Sequence, residues 1–137
     1  MTLKYIISVK EMYHKIYDHF SLSLPKDAVM VSAIVIDVSN LIGSRSLYEF
    51  IQQVVENKNI KDEYWTNGYT AKVVERDGKK MLKIFFRLTD DYEPYYIDPQ
   101  EFKELLEIWI REKAKFDKDP VRYKLDMLKN GAQVITF

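Results

Sequence analysis

"YTAKVVERDGKKMLKIFFRL", residues 69–88, is the stretch on which the fold turns. Two runs of alternating apolar and polar residues flank Asp77-Gly78, a dipeptide suited to a two-residue hairpin turn because both of its residues tolerate positive φ. The spacing predicts antiparallel strands over Tyr69–Val74 and Met81–Leu88. In the second run Leu82, Ile84, Phe86 and Leu88 share one face, read as the core face. Lys83, Phe85 and Arg87 share the other.

Working downstream, "EPYYI" (93–97) reads as a short third strand. Asp98-Pro99-x-Glu101 then marks a helix start, with Asp at the N-cap, Pro at N1 and an acid at N3. Phe102, Leu105, Leu106, Trp109, Lys113 and Phe116 follow at helical spacing, with Glu107 and Arg111 as an exposed i, i+4 pair. Asp119-Pro120 repeats the start signal. Val121, Leu125 and Leu128 mark the apolar stripe of a shorter helix closed by Asn130-Gly131, and "AQVITF" (132–137) reads as a strand.

Upstream, Ser46 and Glu49 form a capping-box pattern that opens a helix carrying Leu47, Phe50, Ile51, Val54 and Val55. The run "DAVMVSAIVIDV" (27–38) is apolar at both parities, so periodicity does not separate a buried strand from a buried helix. Its bounds at Pro25 and Gly43 favour a strand. Near the N-terminus Tyr5, Val9, Met12, Tyr13, Ile16, Tyr17 and Phe20 recur at spacings that predict an amphipathic helix ending near Phe20. Together these elements predict a single α+β domain over residues 1–137, an antiparallel sheet with a central hairpin packed against several amphipathic helices.

The composition suits one domain with a real core: 47% of the 137 residues are hydrophobic and 14% aromatic. There is no cysteine, which removes disulfides, thiolate zinc sites and a cysteine nucleophile together. The first twenty residues interleave charges with apolar residues, unlike a signal peptide. No apolar run reaches membrane-span length, so a cytoplasmic location is expected, with no membrane partner. Lys+Arg and Asp+Glu both number 21, and this neutrality argues against nucleic acid as a partner.

The neutrality is uneven. Between Asp90 and Glu107 seven acids face a single base, Lys103, which leaves the rest of the chain about six charges positive. Asp98 and Glu101 have capping duties. Asp90, Asp91, Tyr92, Glu93 and Tyr95 have none, and acids interleaved with tyrosines have the composition of a partner-binding surface.

Catalytic and cofactor signatures are absent from the sequence. His14 and His19 lie five apart, about 140° around the expected helix, and form no HExxH pair. There is no GxSxG, GxxxxGK[ST] or GxGxxG, and "DDYEPYYIDPQE" lacks the glycine and ligand order of a calcium loop. No cofactor, metal or catalytic residue is therefore expected. Asp37, the one acid in its apolar run, reads first as a cap or turn acid and second as a catalytic acid at a strand end. An enzyme built on Asp37 or Asp91 is one alternative. A nucleic-acid-associated or regulatory domain is another, using Lys83, Phe85 and Arg87 with Tyr69 nearby.

"GYTAKVVERDGKKMLKIFFRL" followed by "YEPYYIDPQEFKELLEIWIREK" resembles the immunity proteins of bacterial polymorphic-toxin and contact-dependent growth inhibition systems. The shared texture is a charged hairpin, a short Tyr-rich strand with an Ile-Asp-Pro-x-Glu-Phe start, and an acidic Leu/Trp helix, spanning residues 68–115. The resemblance implies a small cytoplasmic protein that is not an enzyme. Such a protein binds one cognate toxin domain, often a nuclease, and occludes its active site. Many such proteins are strongly acidic, whereas this chain is neutral and concentrates its acids at 90–107.

Overall fold

The computed structural model describes residues 3–12, 17–38, 40–130 and 134–136. In chain order the elements are β1 (Lys4–Met12), β2 (Tyr17–Ser23), a 3-10 turn (Lys26–Ala28), α1 (Val29–Asp37), α2 (Leu41–Val55) and β3 (Glu63–Trp65). There follow β4 (Tyr69–Arg76), β5 (Lys79–Phe86), β6 (Tyr95–Ile97), α3 (Pro99–Lys118), α4 (Pro120–Asn130) and β7 (Val134–Thr136). The strands form two antiparallel sheets, ordered β2-β1-β7 and β3-β4-β5-β6. The chain is an α+β domain, with two sheets where one was expected. No helix among the described residues is long and apolar enough to cross a membrane.

The hairpin forms as predicted. Asp77 and Gly78 take φ of 56° and 75°, and Arg76 faces Lys79 across the turn. Both positive angles suit the right-handed twist of the paired strands. Leu82 and Ile84 are fully buried, opposite Val73 and Ala71. Leu88 lies beyond β5 and is 66% exposed, so the core face of that run ends at half-buried Phe86.

Two segments contradict their sequence-based reading. The N-terminal helix is instead a strand pair, β1 against β2, with Val9 opposite Phe20 and Ile6 opposite Ser23. Leu3, Tyr5 and Ile7 point into the core while Lys4 and Ile6 are exposed, the alternation of a half-buried strand. His19 lies on β2, opposite Lys10, and His14 lies outside the described residues.

The run at 27–38 is a helix rather than a strand. α1 touches β2 of one sheet and β4, β5 and β6 of the other, so apolar surface meets it from several sides. A helix that is hydrophobic all round belongs in such a place. Val31, Ile34 and Val35 are fully buried there.

α2 starts six residues earlier than the Ser46 capping pattern suggested. Asn40 is its N-cap, and its side-chain oxygen accepts the Gly43 amide at 2.7 Å. A Cβ on Gly43 would lie 2.7 Å from the Val38 carbonyl, so the tight α1–α2 turn needs glycine there. Ser46 sits exposed within the helix and caps nothing. Leu47, Phe50, Ile51 and Val54 are buried as expected.

α3 begins where predicted. The Asp98 carboxylate accepts the Gln100 amide at 3.2 Å, and Pro99 occupies the first turn. Glu101 has a different duty from the one its position suggested, because it accepts the Leu3 amide at 2.7 Å and ties β1's approach to α3. Glu107 accepts from the Tyr48 hydroxyl of α2 at 2.8 Å and lies 4.0 Å from Lys103, which corrects its assignment to a pair with Arg111.

The Asp98→Ala variant is expected to lose about 0.5–2 kcal/mol, while Asp98→Asn keeps most of the cap. Urea denaturation of the two variants beside the wild type checks this, and equal midpoints for Ala and Asn would refute the capping role.

α4 starts at its predicted position, with Asp119 accepting the Arg122 amide at 3.1 Å, but it presents the opposite face. Val121, Leu125 and Leu128 are 68%, 58% and 79% exposed, and Tyr123 is the residue that is buried. Tyr123 enters an aromatic cluster in which Phe20 lies 4.8 Å from Trp109, 5.1 Å from Phe116 and 5.7 Å from Tyr123, centroid to centroid. The Tyr123 ring, packed against Phe20 and against Phe116 at 5.9 Å, outweighs three smaller aliphatic contacts in deciding how the helix rolls.

Candidate functional site

The loop between β5 and β6 carries the unassigned acids and tyrosines. Its conformation starts with a local turn, in which the Thr89 hydroxyl accepts the Asp91 amide at 3.2 Å. Asp90, Asp91 and Glu93 are all exposed. The Tyr92 ring stands edge-on to Phe86, with centroids 5.6 Å apart and planes at 89°, yet the residue remains 59% exposed. Pro94 then directs the chain into β6, where Tyr95 lies opposite Ile84.

Tyr92, Glu93 and Tyr95 line one groove of about 810 Å³. Its far wall comes from the 3-10 turn and the first residues of α1: Lys26, Asp27, Val29 and Met30. Val29 is 55% exposed although it belongs to the most apolar helix of the chain. Arg76 closes the groove at the hairpin end, its guanidinium carbon 4.0 Å from the centre of the Tyr96 ring. Asp90 and Asp91 are not among its lining residues.

Tyr95 is half-buried, and burial pushes its phenol above the ordinary range, with the Glu101 and Asp27 carboxylates adding to the effect. At neutral pH it therefore stays a hydroxyl, able to donate a hydrogen bond from an apolar wall. The groove offers aromatic area, one exposed aliphatic side chain and a few directed polar groups. Lys26 and Arg76 oppose Asp27 and Glu93, so its own charge is balanced, and an acidic field comes from Asp90 and Asp91 beside it.

The acidic run is thereby divided. Asp98 caps α3, Glu101 holds the Leu3 amide, Glu104 accepts from Gln100 at 3.1 Å and Glu107 accepts from Tyr48. Asp90, Asp91 and Glu93 have no such side-chain engagement among the described residues. The far wall was missed in the sequence because residues 26–30 and 76 are remote from 92–96 along the chain. The one local hint was Val29, an apolar residue directly after a charged turn.

Asp37 is not part of this groove. At the end of α1 it accepts the Gly68 amide at 2.9 Å, across 31 residues, and so anchors the turn between β3 and β4. Its duty is to a turn, as its first reading held, but a distant turn rather than the one that follows it. Among the described residues no group of three or more His, Asp or Glu side chains is placed to hold a metal ion.

No protein-family model matches the chain, and comparison with curated proteins and with solved structures finds no match.

Proposed function

We propose that this domain is a binding protein of the immunity type, which neutralises a cognate toxin domain by covering its active site and is not itself an enzyme. On this reading it works in the bacterial cytoplasm, where an incoming toxin domain would act. The observation that carries the proposal is the convergence of Tyr92, Glu93 and Tyr95, with exposed Val29 opposite them, on one open groove. Aromatic residues held by neighbouring rings give contact area at small entropic cost, which suits a surface whose work is to bind.

The division of labour follows from burial. Asp90 and Asp91 stand in solvent beside the groove and steer a basic partner toward it, so they act on the association rate. Tyr92 and Tyr95 present rings to the docked partner and so act on the dissociation rate.

The test uses the cognate toxin domain, to be sought in the product of the neighbouring gene, measured by surface plasmon resonance at two salt concentrations. The triple change Asp90→Asn, Asp91→Asn, Glu93→Gln is expected to slow association about tenfold at low salt and to flatten its salt dependence. Its stability should stay within about 0.5 kcal/mol of wild type. Tyr95→Ala is expected to raise the dissociation rate by about 1–2 kcal/mol equivalent or more. Unchanged rates in both variants would remove the groove from the interface.

A further inference from the structure

The outer face of the β3-β4-β5-β6 sheet has a composition that the groove does not explain. Side chains at paired positions share a face, so the register defines this surface row by row. One row runs Trp65, Thr70, Phe85. The next runs Glu63, Lys72, Lys83, Tyr96. Arg87, two residues beyond Phe85, brings its guanidinium carbon to 5.1 Å from the Trp65 ring centre. Tyr69, the expected neighbour, belongs to the opposite face, where its ring meets Phe86 at 5.4 Å. Trp65 stands on the outer face in its place.

Three features of this face call for a ligand. Lys72 and Lys83 lie directly opposite each other, a like-charge pair that costs stability in a sheet. Trp65 is 61% exposed, although it flanks Thr70, which is 2% exposed. Each aromatic ring also has a cation over it: Lys83 lies 5.1 Å from the Phe85 ring, Arg87 the same distance from Trp65, and Arg76 sits over Tyr96. On this face Lys72, Arg76, Lys83 and Arg87 stand against Glu63. Lys79 is matched by Asp98 at 3.8 Å.

From this we infer that the outer sheet face binds single-stranded nucleic acid. Phosphates relieve the Lys72–Lys83 repulsion, and bases stack on Trp65 and Phe85. An acidic protein segment would satisfy the lysines but leave the rings without a flat partner. A duplex keeps its bases stacked on one another and offers these rings nothing. An unpaired strand supplies both chemistries at once, a phosphate chain and accessible base faces. Arg87 has a positioning duty as well, because its Nε donates to the Thr66 and Asn67 carbonyls, each at 3.1 Å, and holds the turn that carries Trp65. Arg76 and Tyr96 border both surfaces, but the inference does not rest on the protein-docking groove, since Lys72, Lys83, Trp65 and Phe85 lie outside it.

Fluorescence anisotropy with labelled RNA and DNA single strands of about 12 nucleotides tests this, a length within the usual reach of one small binding domain. The same strands as duplexes, and polyglutamate as competitor, are the comparison probes. Single strands are expected to bind at low salt and to quench the exposed Trp65, with Trp109 at 4% exposure contributing little. Trp65→Leu should weaken binding by roughly fivefold to a hundredfold with an unchanged melting temperature. Lys72→Gln and Lys83→Gln should each lower the slope of log affinity against log salt by about 0.7. Lys72→Gln changes an exposed side chain, so it keeps the test open if Lys83→Gln disturbs the fold. Duplexes binding as well as single strands, polyglutamate competing equally, or Trp65→Leu leaving affinity untouched would each overturn the assignment. So would the absence of binding to any strand at low salt.

Discussion

Replacing Ile34 by alanine is expected to remove about 2–5 kcal/mol of stability, the usual cost of deleting a large aliphatic side chain from a filled interior. Ile34 is fully buried on α1, the helix that touches strands of both sheets. A cavity there opens in the helix that packs against strands of both sheets. Domains of this size are stable by only about 5–15 kcal/mol, so the loss is a large share of the whole. Ile42→Ala provides the contrast. It is the same chemical change in the neighbouring helix, at a side chain 84% exposed, and should stay within about 0.5 kcal/mol. Urea midpoints for the two variants measure the difference, and similar midpoints would refute the central position of α1.

A second large effect is expected at alkaline pH. Burial, opposed by the Arg111 guanidinium and aided to a smaller extent by Glu112, pushes the Tyr5 phenol up to about 12; burial and then Glu112 push the Tyr123 phenol up to about 12. Both side chains are almost wholly enclosed, at 1% and 7% exposure. In the unfolded chain each phenol titrates near 10, so below that pH both states are protonated and stability is complete. Between pH 10 and 12 the unfolded state releases protons that the folded state keeps, and stability falls as pH rises. A rise from 10 to about 12 amounts to about 3 kcal/mol for each phenol. The informative comparison is the wild type against the Tyr5→Phe, Tyr123→Phe double variant. Urea denaturation across pH 9–11.5 (a span of about two and a half decades in proton activity) should show a distinctly shallower decline in the variant. Parallel declines would mean that neither phenol resists ionisation in the folded state.

Much of the second half of the chain was legible residue by residue. Asp77-Gly78 fixes its own turn because the two positive φ angles it requires suit those residue types and few others. Asp98-Pro99 and Asp119-Pro120 likewise start helices through contacts made within one turn. The loop at 90–95 stood out in the sequence as acids and tyrosines without a capping duty, although half-buried Tyr95 also packs against the core. The groove it borders was not legible, because its other wall is contributed by residues 26–30 and 76. Asp37 shows the same limit, as its partner is the amide of Gly68.

The sequence alone determined the features whose partners are near in the chain: the hairpin, the caps of α3 and α4, the buried faces of α2 and α3, and the α+β class itself. Only the tertiary structure decided the N-terminal strands, the nature of α1 and the roll of α4. Tyr5, Val9, Tyr13 and Tyr17 are each four residues apart, and four is close to one helical turn but also two full strand periods. The separating residues are Leu3 and Ile7, which extend a period-2 pattern through Lys4, Ile6 and Ser8. For residues 29–37 periodicity gives no signal in either direction, because a segment apolar on every side has no polar face to mark its period, and the bounds at Pro25 and Gly43 pointed the wrong way. Packing between two sheets settles it: apolar walls from both directions let a helix bury its whole circumference while satisfying its own backbone hydrogen bonds. α4 obeys the same rule at a smaller scale. The aliphatic stripe predicted to turn inward was displaced by Tyr123, whose ring packs against Phe20 of distant β2 and Phe116 of the preceding helix α3.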